Sequence, residues 1–168
     1  MSVYCFDSSA LMDMWNIHYP PDVFGSVWRT LEDAIGCGAA IAPKEVLREI
    51  EDGLDDLVPW AKRNKRMFID EDERLYQLAQ DIAHEYPNLI DERKEGKDAD
   101  PWVVALAIRE GAIVVTHEKK TGQKALGVDA PRIKIPDVCD FTGVKRATVA
   151  DFLRDRAHGT ALPDDGAV

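Results

Sequence analysis

Zinc-type cysteine spacing is missing from this sequence. Its three cysteines, Cys5, Cys37 and Cys139, form no CxxC and no Cys/His pair at ligand spacing, which argues against a structural zinc site. An odd, scattered set suits a reducing compartment, where free cysteine packs as a small hydrophobe. The glycine-rich phosphate loops GxxxxGK and GxGxxG and the GxSxG nucleophile elbow are absent, so nothing points to a P-loop, a dinucleotide site or a serine hydrolase. No apolar run approaches the roughly 20 residues of a membrane helix. The start, MSVYCFDSS, has no basic stretch leading into an apolar one, so no signal peptide is expected and a cytoplasmic protein without membrane association is. Positive charge is also scarce. Lys and Arg number 21 against 31 Asp and Glu, a formal net charge of −10, so bulk charge alone would not hold a nucleic acid. Acids gathered round divalent ions would contribute to that excess.

What is present is 168 residues with 45% apolar content, enough for one domain with a real core. Short apolar runs alternate with helical patterns. Val3 to Phe6, Ala39 to Ala42, Ile113 to Thr116 and Arg132 to Ile135 read as strands. Helices are expected over Ala10–Asn16, capped by Ser8 or Ser9, and over Val23–Ile35. Further helices start at Pro43, run from Leu54 to Lys65 with a bend at Pro59, and cover Asp72–Tyr86, Pro101–Glu110 and Thr148–Arg156. The run WVVALAI marks the Pro101 helix as buried, and IVVT reads as a central parallel strand. Alternating β and α elements predict right-handed βαβ units on a parallel sheet. A single domain over residues 1–157 is expected, with a frayed tail at 158–168.

Ligand sites in open α/β sheets lie beyond the carboxyl ends of the strands. Acidic residues fall at those places: Asp7 after the first strand, Glu45 and Glu49 on the helix after the second, Asp98 and Asp100 before the buried helix, and Glu118 after the third strand. Gathered carboxylates repel, and a hard divalent cation such as Mg²⁺ or Mn²⁺ relieves the repulsion. Each residue also has a plainer role. Asp7 suits a helix cap, and Asp100 before Pro101 is an ideal one. Asp98 fits a charged turn, Glu118 a surface cluster with Lys119 and Lys120, and Glu45 and Glu49 a solvated helix face. The helical wheel does not choose between those two glutamates. Ser9 and Thr116 would orient a ligand carboxylate or cap a chain end. The four histidines, His18, His84, His117 and His158, share no ligand spacing, and His117 reads as a bystander. Trp15, Trp28, Trp60 and Trp102 read as core.

The stretches YCFDSSALM, APKEVLREIEDG and ADPWVVALAIREGAIVVTHE, in that order, resemble the PIN-domain family of metal-dependent ribonucleases, whose bacterial members include VapC-type toxins. DPWVVALA, VVTHE and KIPDVC are similar to a less characterised PIN-like subgroup. The resemblance implies an α/β/α sandwich around a central parallel sheet of four or five strands. It implies Asp7, Glu49 and Asp100 as metal-holding and catalytic carboxylates. Glu118 stands at a fourth position where many members have the shorter Asp, and Asp98 is an additional candidate ligand. Ser9 and Thr116 would support the ligands. Mg²⁺- or Mn²⁺-dependent hydrolysis of RNA phosphodiesters is implied, together with an antitoxin encoded nearby and a homodimer.

The expectation is therefore an endoribonuclease, the toxin of a toxin–antitoxin pair. RNA would be held by Lys62, Arg63, Lys65 and Arg66 and by Lys119, Lys120 and Lys124. Two rivals are a PIN-like module that binds RNA or protein without cutting, and a receiver-type phosphoacceptor built on Asp7, Thr116 and Lys119. The second lacks a strand-end phosphoacceptor Asp.

Overall fold

A computed structural model describes residues 1–53, 56–94, 97–122 and 130–158. Strand β1 (Tyr4–Phe6) lies at the middle of a five-stranded sheet whose order is β3-β2-β1-β4-β5, with every pairing parallel. The other strands are β2 (Ala40–Pro43), β3 (Phe68–Ile69), β4 (Ile113–Val115) and β5 (Arg146–Ala147). All three β1 residues are buried, as expected of a strand covered on both faces.

The connections explain the layers. The chain moves from β1 to β2 to β3 in one direction, through α1 (Ser8–Asp13), α2 (Gly25–Gly36), α3 (Lys44–Asp52) and α4 (Leu57–Arg63). It then returns past β1 to β4 through α5 (Glu73–Glu85) and α6 (Asp100–Glu110), and reaches β5 through α7 (Ile135–Thr142). Right-handed crossovers running in opposite directions place these groups on opposite faces, giving an α/β/α sandwich. The last helix, α8 (Val149–His158), packs on α2 and β5. His158 closes α8, and residues 159–168 of the expected tail lie outside the described residues.

Helix α6 is apolar nearly all round because it has neighbours nearly all round. It packs on β1, β2 and β4 and against α5 and α7, burying Val103 to Ala107 in one unbroken run. Gly111 ends it in the left-handed region (φ 61°), where glycine carries no Cβ penalty. On the opposite face, Phe152 of α8 meets the rings of Tyr4 and Phe6 edge-on, at 5.2 and 5.1 Å. Trp28 stands between Trp15 and Trp60 at centroid distances of 4.9 and 4.8 Å. Trp28 and Trp60 are buried as expected, whereas Trp15 and Trp102 are only partly so.

Two strand expectations need correction. Residues 132–135 form no strand. Their alternating Ile133 and Ile135 are buried, but Lys134 is the extended N-cap of α7 and Pro136 sits in its first turn. The edge of β4 is instead taken by Arg146–Ala147, and Ile133 N–H bonds to the Asn88 carbonyl at 3.1 Å. The two-residue β3 carries too little pattern to be seen in sequence.

A candidate metal-binding pocket at the strand ends

The order in which the chain adds strands reverses between β1 and β4, and a crevice opens beyond the carboxyl ends of strands at such a switch point. Asp7 follows β1 and Thr116 follows β4, and the Asp7 N–H bonds to the Val115 carbonyl at 3.1 Å. A pocket of about 530 Å³ opens there. Its lining includes Asp7, Glu49, Asp100 and Glu118, with Ser8, Ser9, Arg93, Lys94 and Lys97. The structure thus brings together four carboxylates separated by up to 111 residues of chain.

Asp7 caps α1, its Oδ1 accepting the Ala10 N–H at 2.7 Å, so the cap is neither serine. Ser9 Oγ lies 2.9 and 2.8 Å from its two oxygens, and Thr116 Oγ1 donates to Oδ2 at 2.6 Å. Those two hydroxyls hold the carboxylate rotamer. Asp7 is 2% exposed, and burial raises its pKa from 3.8 to about 7. The hydrogen bonds from Thr116, Ala10 and Ser9 oppose that rise, and the charge of Glu118 adds to it.

Asp100 does not serve as the helix cap that its place before Pro101 suggests. Asp98, just before the N-cap Ala99, is held by backbone donors: its Oδ1 accepts the Asp100 N–H at 3.0 Å and its Oδ2 the Asp91 N–H at 2.7 Å. An aspartate readily bonds the backbone two residues on, which is the Asx-turn geometry. Asp100 makes no side-chain cap, and its carboxylate faces the pocket. It is 6% exposed, and its buried Oδ2 has no hydrogen-bond partner among the described residues. Burial first, then the charges of Asp98, Glu118 and Asp7, push its pKa well above the ordinary range against the pull of Lys94.

The structure also separates the two glutamates of α3. Glu49 lines the pocket; its Oε1 accepts from Lys94 Nζ (2.8 Å) and from the Ala99 N–H (3.0 Å), and Ser8 Oγ donates to Oε2. Glu45 lies outside the lining, where Oε1 meets Arg48 at 3.2 Å and Oε2 has no partner among the described residues. Glu118 is tied to the far rim, its N–H bonding to Thr116 Oγ1 and its Oε2 accepting the Ile135 N–H at 3.4 Å.

Lys94 was not singled out by sequence. It sits in the charged stretch before α6, reaches Glu49, and approaches Asp98 at 3.4 Å. Burial opposes its charge, yet the hydrogen bond to Glu49 and the fields of Asp100, Glu49 and Asp98 raise its pKa. A lysine amid a run of exposed charges carries no sequence signal. Among the described residues the pocket's cations are Arg93, Lys94 and Lys97, whereas Lys62, Arg63, Lys65, Arg66, Lys119 and Lys120 are exposed and lie outside its lining. Lys62 is 3.8 Å from Glu51, and Lys120 pairs with Asp140 at 2.6 Å. Lys124 lies outside the described residues.

The donor set consists of hard oxygens, which suits Mg²⁺ or Mn²⁺ rather than a soft metal. The orphaned Asp100 Oδ2 and the raised pKa of Asp7 both fit a divalent cation, because such an ion supplies the missing partner and offsets the like charges. Comparison with curated proteins finds no match. A family model does match, over residues 4–159, nearly the whole chain, and the protein belongs to that family, described as a domain of unknown function (DUF4411).

Proposed function

We propose that this protein is a metal-dependent endoribonuclease of PIN type, hydrolysing RNA phosphodiesters at the pocket beyond β1 and β4. The observation that carries the reading is the buried Asp100 Oδ2, unpartnered among the described residues, in a pocket shared with Asp7, Glu49 and Glu118. Leaving a buried carboxylate oxygen without a donor is costly, and a cation repays it. Asp7, Glu49 and Asp100 would hold Mg²⁺ or Mn²⁺, with Glu118 completing the set. The bound ion would supply a lowered pKa for its water and charge stabilisation at the phosphate. Ser9 and Thr116 keep the Asp7 oxygens aimed, and Ser8 does the same for Glu49. Arg93 and Lys97, at the pocket rim, would meet the RNA backbone.

The toxin part of the proposal asks for a protein partner. Ile17, Val23 and Phe24 are 64%, 69% and 40% exposed around the start of α2 and would give an antitoxin an apolar surface. One observation favours a second reading, a module that binds RNA without cutting. Lys94 already answers Glu49 and Asp98 with a protein ammonium.

The test is cleavage of structured and unstructured RNA in Mn²⁺ or Mg²⁺, with EDTA and Asp100→Asn protein as controls. The nuclease reading expects a loss of at least roughly 100-fold in both controls. RNA binding without cleavage, unchanged in Asp100→Asn, would establish the silent module instead. Cleavage persisting in the variant would remove Asp100 from the mechanism.

A further inference from the structure

Outside the acidic pocket, three residues distant in sequence meet at one point. Asp13 ends α1, His18 ends the segment after it, and His117 follows β4. One ligand atom from each lies within 4.8 Å of the others. His117 Nδ1 is 3.1 Å from Asp13 Oδ2, and the His18 and His117 rings are 4.7 Å apart, centroid to centroid.

The backbone between Asp13 and His18 is wound in a way that produces this meeting. Met14–His18 is a π-helical turn, closed by the Tyr19 N–H to the Met14 carbonyl at 2.8 Å, five residues back. In an α-helix a residue five positions on points about 140° away from the first. The wider π turn brings it back to within roughly 50°, so His18 faces the same side as Asp13. Such turns are rare and are frequently found at functional sites. A histidine–carboxylate pair needs no ion by itself. A second imidazole delivered to the pair by an irregular turn is a different arrangement.

We propose that Asp13, His18 and His117 form a cation site distinct from the acidic pocket and selective for borderline transition metals, Zn²⁺, Co²⁺ or Ni²⁺, over Mg²⁺. Two imidazole nitrogens and one carboxylate oxygen are donors such ions prefer, whereas Mg²⁺ demands oxygen. Donors on a tetrahedral ion at about 2.0–2.1 Å stand about 3.4 Å apart, against ligand atoms here within 4.8 Å of one another, and His18, the exposed member, is the one with room to move. Three protein donors leave a fourth coordination position open to water or a ligand. The two sites adjoin through Ser9, whose Oγ bonds to Asp7 and accepts the His117 N–H at 3.3 Å. The proposal does not rest on the nuclease reading.

The test is a Zn²⁺ titration of the full chain followed by the imidazole NMR resonances of its four histidines. His18 and His117 should shift together and saturate at one equivalent, with His84 and His158 unmoved and Mg²⁺ without effect. His18→Ala, at an exposed position that does not threaten the fold, should weaken Zn²⁺ binding by calorimetry roughly tenfold or more. His117→Gln should abolish the response of His18. Asp100→Asn should leave it intact. Equal shifts of all four histidines, no shift in any, or unchanged affinity in His18→Ala would overturn the site. Loss of the response in Asp100→Asn would assign the ion to the acidic pocket instead.

Discussion

Asp7 connects the proposed metal chemistry to a stability measurement that needs no substrate. Its carboxyl is buried and its pKa rises from 3.8 to about 7 on folding. The folded state therefore holds this proton more tightly than the unfolded chain. Between about pH 4 and pH 7 it binds more protons, and stability falls as pH rises. Below that window both states are protonated; above it both are ionised and the penalty is constant. At about 1.4 kcal/mol per tenfold change in proton affinity, the full span is about 4 kcal/mol. Roughly 2.5 kcal/mol of it falls between pH 5 and pH 8. Urea unfolding in EDTA at those two pH values should show the wild type losing about that much more than Asp7→Asn. Asp100 and Glu45 also have raised pKa values and act in the same direction in both proteins. Because Asp7 contributes to the rise at Asp100, removing its charge widens the difference rather than hiding it. Asp140 and Asp151 have lowered values and titrate below the window. Saturating Mn²⁺ at pH 8 should restore most of the wild-type loss and much less in the variant. Equal pH dependence in the two proteins, within about 0.5 kcal/mol, would refute the reasoning, because ionised Asp7 would then carry no folding penalty for a cation to relieve.

Further outcomes follow from single side chains. Lys94→Met removes the ammonium that competes for Glu49, so Mn²⁺ affinity should rise roughly tenfold by calorimetry while stability in EDTA falls; unchanged affinity would mean that the ammonium and the ion do not share the site. Gly111→Ala should cost about 1 kcal/mol by urea unfolding, because its φ of 61° penalises a Cβ although no atom within 4 Å would clash with one; a neutral result would show the helix end relaxing. If Lys62, Arg63, Lys65 and Arg66 hold RNA from outside the pocket, neutralising them should flatten the fall of affinity with salt. If Arg93 and Lys97 hold it instead, only their substitution will.

Much of this protein is local, and the sequence by itself determines that part. Val3 to Phe6 is apolar and ends in an aspartate, so a buried strand with a carboxylate at its tip follows from the pattern alone. Gly111 and the run WVVALAI set a helix end and its burial through constraints that act within a few residues, whereas Pro43, read as the first helical residue, is the last residue of β2 and the N-cap of α3. Alternation of such elements restricts the fold to a parallel α/β sheet, since few topologies accommodate it. Tertiary structure decided the rest. Glu45 and Glu49 sit on one stripe of α3, and only the packing of α3 beside α1 aims Glu49 at the pocket. In sequence Asp100 before Pro101 reads as the cap and Asp98 as part of a charged turn; in the fold Asp98 accepts the Asp91 and Asp100 N–H groups, and the Asp100 carboxylate faces the pocket. Lys94 gains its role by reaching 45 residues back to Glu49, and His117 gains its partners 104 and 99 positions away in Asp13 and His18. Residue type and spacing record what neighbours along the chain can do. Convergence of side chains from separate strand ends depends on strand order and crossover direction, and those appear only once the sheet has closed around its core.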